Sequence, residues 1–327
     1  MPTKTIIESI HDTLRDEMAR DDDIILMGED IGKTGGVFLA TEGLMEQFGA
    51  DRVIDTPLAE LSIVGIAIGA AAVGLRPIAE IQFADFIYPA FDQIVNEAAK
   101  MRYRTNGTWT CPLVIRTPYG GGIHGALYHS QSIEAYFCHV PGLKVVAPAT
   151  PYDAKGLLAA AIRDPDPVLF LEHKKTYRSI KGDVPTEDYT VPIGKAQIMR
   201  AGTDVTAIAY GAMLHETLAA AKELEREGTS VEVVDLRTLQ PLDRETILDS
   251  VRKTSKACII HEDTKTMGLG AEIAALINEE AFLDLDAPIR RVTGPDLPGI
   301  PFNDAGQEIF LPNASKIALA LRELVAY

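Results

Sequence analysis

Cysteine is scarce in this chain of 327 residues. There are three, Cys111, Cys138 and Cys258, widely spaced and without a C-x-x-C pair. An odd count at that spacing speaks against a disulfide framework and against a thiolate zinc site, and it fits a reducing compartment, so the expected location is the cytoplasm. Basic runs are missing as well. Lys and Arg number 31 against 47 Asp and Glu, a net charge of −16 that would repel a phosphate backbone and argues against a nucleic-acid partner. Neither H-E-x-x-H nor G-x-x-x-x-G-K-[S/T] occurs, which removes a zinc-protease helix and a phosphate loop of that type. The most apolar stretch, Leu61 to Leu75, is too short and too rich in Ala and Gly for a membrane span. The first residues carry polar and acidic side chains on a helical period and read neither as a signal peptide nor as a basic transit peptide.

What is present is a globular pattern, with 46% hydrophobic and 24% charged residues. Apolar runs at 24–28, 52–55, 76–82, 112–116, 144–147 and 168–172 predict strands. Helical periods at 38–48, 56–74, 86–103 and 151–163 lie between them. Strands that are apolar nearly throughout and alternate with helices imply a mostly parallel sheet covered on both faces. The alternation then breaks, with KKTYRS, Lys181–Gly182–Asp183, Pro185 and Pro192. It resumes with strands near 204–209, 230–236, 257–261 and 289–293 and helices near 214–227, 243–253, 270–281 and 315–325. The predicted fold class is α/β, two doubly wound, mostly parallel-sheet domains. The expected domains are 1–180 and 201–327, with a linker at 181–200.

Gly120, Gly122 and Gly125 formally satisfy G-x-G-x-x-G after a strand. A dinucleotide site would also need a helix opening in the loop and an acidic residue about 20 positions further on. The loop instead runs through Leu127, Tyr128, His129 and Ser130. Glycines in such number serve tight turning or close approach. His129, past the end of a parallel strand and in a loop of that kind, is a candidate for acid–base work, although most lone histidines are structural or simply exposed. Glu60 stands near the start of a helix whose following residues are almost all apolar or small. The ordinary reading is a carboxylate favoured by the helix dipole. If the helix is buried, the same carboxylate is desolvated and suited to proton transfer or to a short hydrogen bond with a ring nitrogen. Gln82 ends a strand on the same predicted edge. Asp164–Pro165–Asp166 is an acidic turn that could hold a hard cation through oxygens, or be a turn only.

Ordered motifs run the length of the chain: GED at 28–30, GGVFLATEGL at 35–44, DTPLAE at 55–60, EIQFADF at 80–86, NEAAKMRYR at 96–104, GGGIHGALYHSQS at 120–132, PGLKVV at 141–146, DPDPVLFLEHK at 164–174 and VVDLRTLQPLD at 233–243. In these the chain resembles the β subunit of the thiamine-diphosphate-dependent decarboxylase (first) component of 2-oxo acid dehydrogenase complexes. HGALYHSQS is more similar to the branched-chain form than to the pyruvate form; pyruvate and acetoin stay open as alternatives.

The resemblance implies a pyrimidine-binding domain followed by a transketolase-like C-terminal domain. It implies an α2β2 heterotetramer in which the α subunit holds the diphosphate through Mg²⁺ and a G-D-G motif. This chain has no G-D-G. Glu60 matches the carboxylate that bonds the aminopyrimidine ring and favours its imino tautomer, with the apolar helix behind it as dry surroundings. Leu58, Gln82 and Phe86 match cofactor-contacting positions, and some relatives have tyrosine where Phe86 stands. His129 matches the histidine that serves reductive acylation of a lipoyl group, where a proton must reach a dithiolane sulfur; His124 reads as ordering the loop. Cys111, Leu113, Val114, Ala161, Asp164 and Asp166 match a K⁺ site built mainly from main-chain oxygens. The implied partners are the α subunit, a small 2-oxo acid, and the lipoyl and peripheral-subunit-binding domains of a dihydrolipoyl acyltransferase core. Glu272, Glu279 and Glu280 would present acid to a basic partner. Two other classes compete: a nicotinamide oxidoreductase using the glycine run, and a scaffold that only anchors the α subunit.

Overall fold

Every residue of Ile24–Gly28 is buried, as a strand covered on both faces must be. The computed structural model describes residues 1–327 and divides them into two units, Met1–Tyr119 with Tyr136–Ile193, and Gly120–Ala135 with Gly194–Tyr327. The first unit carries β1 (Thr3–Thr5), β2 (Ile24–Gly28), β3 (Val53–Asp55), β4 (Arg76–Glu80), β5 (Val114–Tyr119), β6 (Lys144–Val146), β7 (Val168–His173) and β8 (Lys181–Asp183). Its main sheet has the order β6-β7-β5-β4-β2-β3, parallel throughout. The chain goes from β2 outward to β3 and then returns past β2 to β4, so its direction of winding changes between β2 and β4. Open α/β sheets bind ligands beyond the strand C-termini at such a point.

The first helix, Ile6–Arg20, starts where Thr5 and Glu8 form a reciprocal capping box. Its stripe Ile6, Ile10, Leu14 and Met18 is buried against the helix Pro151–Arg163, which is capped by Thr150 and opens on a proline. Arg163 reaches across to Glu17 at 2.5 and 3.1 Å.

The second unit carries β9 (Gln197–Arg200), β10 (Val205–Ala209), β11 (Val231–Asp235), β12 (Thr238–Gln240), β13 (Ala257–Thr264) and β14 (Arg290–Gly294). A five-stranded sheet has the order β14-β13-β10-β11-β9, parallel except for β9. Helices Ala212–Glu225, Arg244–Thr254, Leu269–Ala281 and Ala314–Val325 lie within two residues of their expected bounds. No helix of the chain is long and apolar enough to cross a membrane.

Three helix expectations need correction. The helix expected at 38–48 shrinks to Leu44–Phe48, because Leu39 and Gly43 take positive φ and Thr41 turns its hydroxyl onto the Ile31 carbonyl. The helix expected from 56 begins at Glu60, so Pro57 lies before it rather than in its first turn. The long helix expected at 86–103 is a series of pieces: 3-10 turns at Ala84–Phe86 and Tyr88–Ala90, a π-helical segment at Gln93–Ala98 and an α turn at Met101–Arg104. Pro89 has no N–H to donate, and Gly142 comes so close that a Cβ there would strike the Ala99 carbonyl. The stretch 181–200, expected as a linker, is anchored along its length. β8 pairs with β1, Val191 N–H donates to Gly156 O at 3.0 Å, Tyr189 stacks on Tyr152, and β9 joins the second sheet. Within this division Gly120–Ala135 goes with the C-terminal residues.

Candidate functional site

Three adjacent strand ends of the first unit gather the polar residues singled out in the sequence. Glu29 and Asp30 follow β2, the segment Asp55–Glu60 runs from β3, and Ile81 and Gln82 follow β4. Gly28 pairs with both Asp55 and Glu80, which sets these ends at one height. Asp55 Oδ1 accepts the Gly32 N–H at 2.5 Å, and Thr56 N–H donates to Gly28 O at 2.9 Å. Glu60 is the first residue of the helix Glu60–Ala72, at the positive end of its dipole. Burial raises the Glu29 carboxyl above its ordinary value, and the charges of Asp30 and Glu60 add to the push, so three carboxylates share this edge.

Glu60 itself is half-buried, so the condition for a fully desolvated carboxylate is met only in part. The helix keeps Ile63, Val64, Ala67, Ile68 and Ala71 inside, but Leu61, Ile66 and Val73 are 49%, 59% and 81% exposed. The dry surroundings expected behind Glu60 thus exist on one side of the helix only. Leu58 is exposed, whereas Gln82 and Phe86 are half-buried. The Gln82 amide makes only long contacts, 3.5 Å to Glu29 O and 3.4 Å to Asp30 Oδ2. The Thr56 hydroxyl is buried with no hydrogen-bond partner. A buried hydroxyl without a partner is costly, and together with a loosely held amide it describes an edge with polar capacity left for a ligand.

Beneath this edge lies a group that sequence reasoning missed. Arg116 on β5, 2% exposed, bonds Glu80 on β4 at 2.7 Å and Glu172 on β7 at 2.7 and 3.0 Å; Tyr177 O–H donates to Glu172 at 2.5 Å. Burial pushes Glu80 up against the pull of Arg116, and the Glu172 charge adds to the push. A Cβ on Gly36 would sit 3.2 Å from Glu80 Oε1, so this cluster also seats the 35–36 turn. The available signal was a charged residue in or at the C-terminal end of each of three otherwise apolar strands.

His129 lies in the second unit. It ends a 3-10 turn, Ala126–Tyr128, with φ −140° and ψ 24°, and its side chain is half-buried. Gly120, Gly122, His124 and Ala126 all take positive φ, so the chain winds without forming a ladder. Gly125 is needed for a different reason: a Cβ there would lie 2.5 Å from His129 O and 2.7 Å from Ser130 Oγ. The loop closes on itself where Gly120 N–H donates to Gln131 O at 2.9 Å.

Residues 3–179 match the transketolase pyrimidine binding domain and residues 194–317 the transketolase C-terminal domain. The chain is 55% identical over all 327 residues, covering 100% of both chains, to the 2-oxoisovalerate dehydrogenase subunit beta of Bacillus subtilis. This chain belongs to the family of 2-oxo acid dehydrogenase β subunits. It is also 50% identical, again over the full length of both, to the pyruvate dehydrogenase E1 component subunit beta of the same organism. Among solved structures it resembles a split gene transketolase described as an inactive beta4 tetramer, with TM-score 0.80, 25% identity and 98% of each chain covered. The family assignment removes the nicotinamide reading of the glycine run.

Several of the positions that the family resemblance marks for K⁺ make main-chain bonds in this β subunit. Cys111 N–H donates to Pro165 O at 3.1 Å, Leu113 O accepts from Val168 N–H at 2.9 Å, and Ala161 O accepts from Asp164 N–H at 3.3 Å. Each carbonyl keeps a second lone pair. The Asp164 carboxylate is taken by Lys144 at 2.7 Å and that of Asp166 by Arg102 at 2.6 Å. No three His, Cys, Asp or Glu side chains gather as a metal site, so a cation here would rest on main-chain oxygens. Burial, with the Asp166 charge adding, pushes the Cys111 thiol up to about 12 and leaves it neutral.

Proposed function

We propose that this chain, with an α subunit, decarboxylates a branched-chain 2-oxo acid using thiamine diphosphate and delivers the acyl group to a lipoyl group of an acyltransferase core. The observation that carries the reading is Glu60 at the mouth of its helix, beside a loosely bonded Gln82 amide and an unpartnered Thr56 hydroxyl. Thiamine diphosphate, when bound, supplies a carbon nucleophile and an electron sink.

The chain's own residues do the rest. Glu60 holds a proton in a hydrogen bond with an aminopyrimidine nitrogen. The helix dipole and the partner surface that would cover Leu61 and Ile66 strengthen that bond by excluding water. Gln82 offers an amide, and Leu58 and Phe86 offer apolar contact to the ring. The α subunit holds the diphosphate and Mg²⁺. His129 transfers a proton to the dithiolane sulfur that leaves as the S–S bond opens, a task suited to an imidazole. Main-chain oxygens around Leu113 and Ala161 hold K⁺. Neutral, buried thiols at Cys111 and Cys258 suit the cytoplasm.

Higher identity to the 2-oxoisovalerate enzyme than to the pyruvate enzyme favours the branched acid. The second domain also meets a basic peripheral-subunit-binding domain through exposed Glu272 and Glu279; Glu280 is already engaged by Arg244. Salt should weaken that contact, and salt-independent binding would remove the claim.

The test is reconstitution with the α partner, thiamine diphosphate and Mg²⁺, measuring CO₂ release with an artificial electron acceptor. Faster release from 3-methyl-2-oxobutanoate than from pyruvate is expected. Faster release from pyruvate would overturn the substrate, and no release from any 2-oxo acid would overturn the reading as a whole.

A further inference from the structure

The loop that carries His129 lies between β5 and the short helix Glu134–Cys138, both within the stretch of sequence expected to form the first domain, yet it is held by residues more than 70 positions further along the chain. Its start, middle and end each have a separate hold. At the start, Gly121 N–H donates to the carboxylate Oε1 of Glu262, a buried residue of β13. Gly121 itself is seated so closely that a Cβ would stand 2.6 Å from Ile300 and 3.5 Å from Leu311, two members of a small apolar cluster. In the middle, His124 Nδ1 lies 2.9 Å from the Phe302 carbonyl and its Nε2 3.3 Å from Asp304, while Gly299 packs on Leu127. At the end, Tyr210, just past β10, donates its O–H to buried Glu134 at 2.7 Å.

These holds answer a need that the loop's backbone creates. Four residues with positive φ between Gly120 and Ala126 prevent a ladder, so the N–H groups must find partners elsewhere. A carboxylate accepting a backbone N–H out of contact with water makes a short, charge-assisted bond that fixes direction as well as distance. His129 lies between the first and last of these holds, and the loop between them is too tightly wound at Gly125 to adjust freely.

We infer that the C-terminal unit positions His129 for acyl transfer, with Glu262 as the principal positioning residue and the Tyr210–Glu134 bond as the second. The C-terminal domain then has a part in the chemistry beyond association with other subunits. Glu262 acts through Gly121 and the loop, not on substrate or cofactor. The inference rests on the role proposed for His129.

The test uses the full chain reconstituted with its α partner, with lipoyl domain as acceptor in one assay and an artificial electron acceptor in the other. Glu262→Ala should lower acylation of the lipoyl domain at least about ten-fold further than it lowers decarboxylation, as misplacing a proton donor would. Amide hydrogen exchange over 120–135 should quicken by about ten-fold or more in the same variant, since the loop loses a buried hold. Glu262→Gln keeps an oxygen for Gly121 N–H and should recover most of both losses. Tyr210→Phe, which removes one hydroxyl, guards against a variant that fails to fold and should give the same pattern more weakly. Wild-type exchange and acylation in Glu262→Ala would overturn the inference. So would an equal fall in both reactions in a variant that keeps its fold; if Glu262→Ala loses its structure, Tyr210→Phe decides by the same criteria. If the wild-type enzyme itself releases no CO₂, the functional reading fails instead, and the exchange result still decides whether Glu262 holds the loop.

Discussion

Glu60 comes a short turn after a parallel strand and opens a helix of 13 residues, whereas His129 lies in a glycine-rich excursion whose holds come from residues 210, 262 and 302–304. The acid is located by regular structure: strand register places Asp55 opposite Gly28, and the helix starts a few residues later. The histidine is located by side chains. In the roles proposed for them, an acid that meets a ring nitrogen at one angle gains from a rigid scaffold, and a histidine that meets a lipoyl group gains from an open loop, provided the loop is tethered.

Breaking each side separately should give the largest effects. Glu60→Gln should lower CO₂ release with an artificial acceptor by about 10²–10⁴-fold. His129→Ala should lower lipoyl acylation by about the same factor, and that reaction far more than the decarboxylation. Equal loss of both reactions in both variants would mean that the two residues do not serve separate steps.

The next effect sharpens the comparison from the strand side. Arg116→Met leaves Glu80 and Glu172 buried without their cation and should cost about 3–5 kcal/mol in urea unfolding of the chain. Hydrogen exchange at 120–135 should not follow it. A loss under about 1 kcal/mol would mean that the carboxylates find protons or water instead.

Gly125→Ala addresses the loop side. The added methyl meets His129 O and Ser130 Oγ, and overpacking of this kind costs about 1–3 kcal/mol. Lipoyl acylation should fall roughly ten-fold, since about 1.4 kcal/mol is a factor of ten. Unchanged acylation would show that the loop relaxes without moving the imidazole.

The smallest effect is a difference in sign between the units. Burial depresses His261 in the second unit from 6.5 to about 4. Its folded pKa is below the unfolded one, so its stabilisation is present above pH 6.5 and is lost as pH falls toward 4. His11 in the first unit is raised, chiefly by its hydrogen bond with Asp12, so its stabilisation is present below pH 6.5 and is lost as pH rises through the higher folded value. His261→Gln should flatten the acid limb of chain stability, and His11→Gln the limb above pH 6.5. The same slope in wild type and variant would refute the corresponding assignment.

Much of the second unit was legible because its strands and helices are short, strongly periodic and separately capped, as at Asp243 and Asn313. The misreadings at 38–48 and 86–103 share a cause. Apolar spacing there fits a helix, but left-handed residues at Leu39 and Gly43, Pro89, and the close approach of Gly142 to Ala99 override it. Periodicity reports which faces are apolar, not what another segment will press against them.

Sequence alone determined the alternation of strands and helices, the two-sheet α/β class, the candidates Glu60, Gln82 and His129, and a resemblance that runs through ordered motifs from residue 28 to residue 243. These depend on local pattern and on residue identity. Tertiary structure decided that Glu60 is half-buried on a helix with one exposed apolar face, that Arg116 binds Glu80 and Glu172 across three strands, and that Glu262 holds the start of the His129 loop. Each of these joins residues far apart in the chain. Such contacts follow from sheet order and register, which no local stretch of sequence encodes.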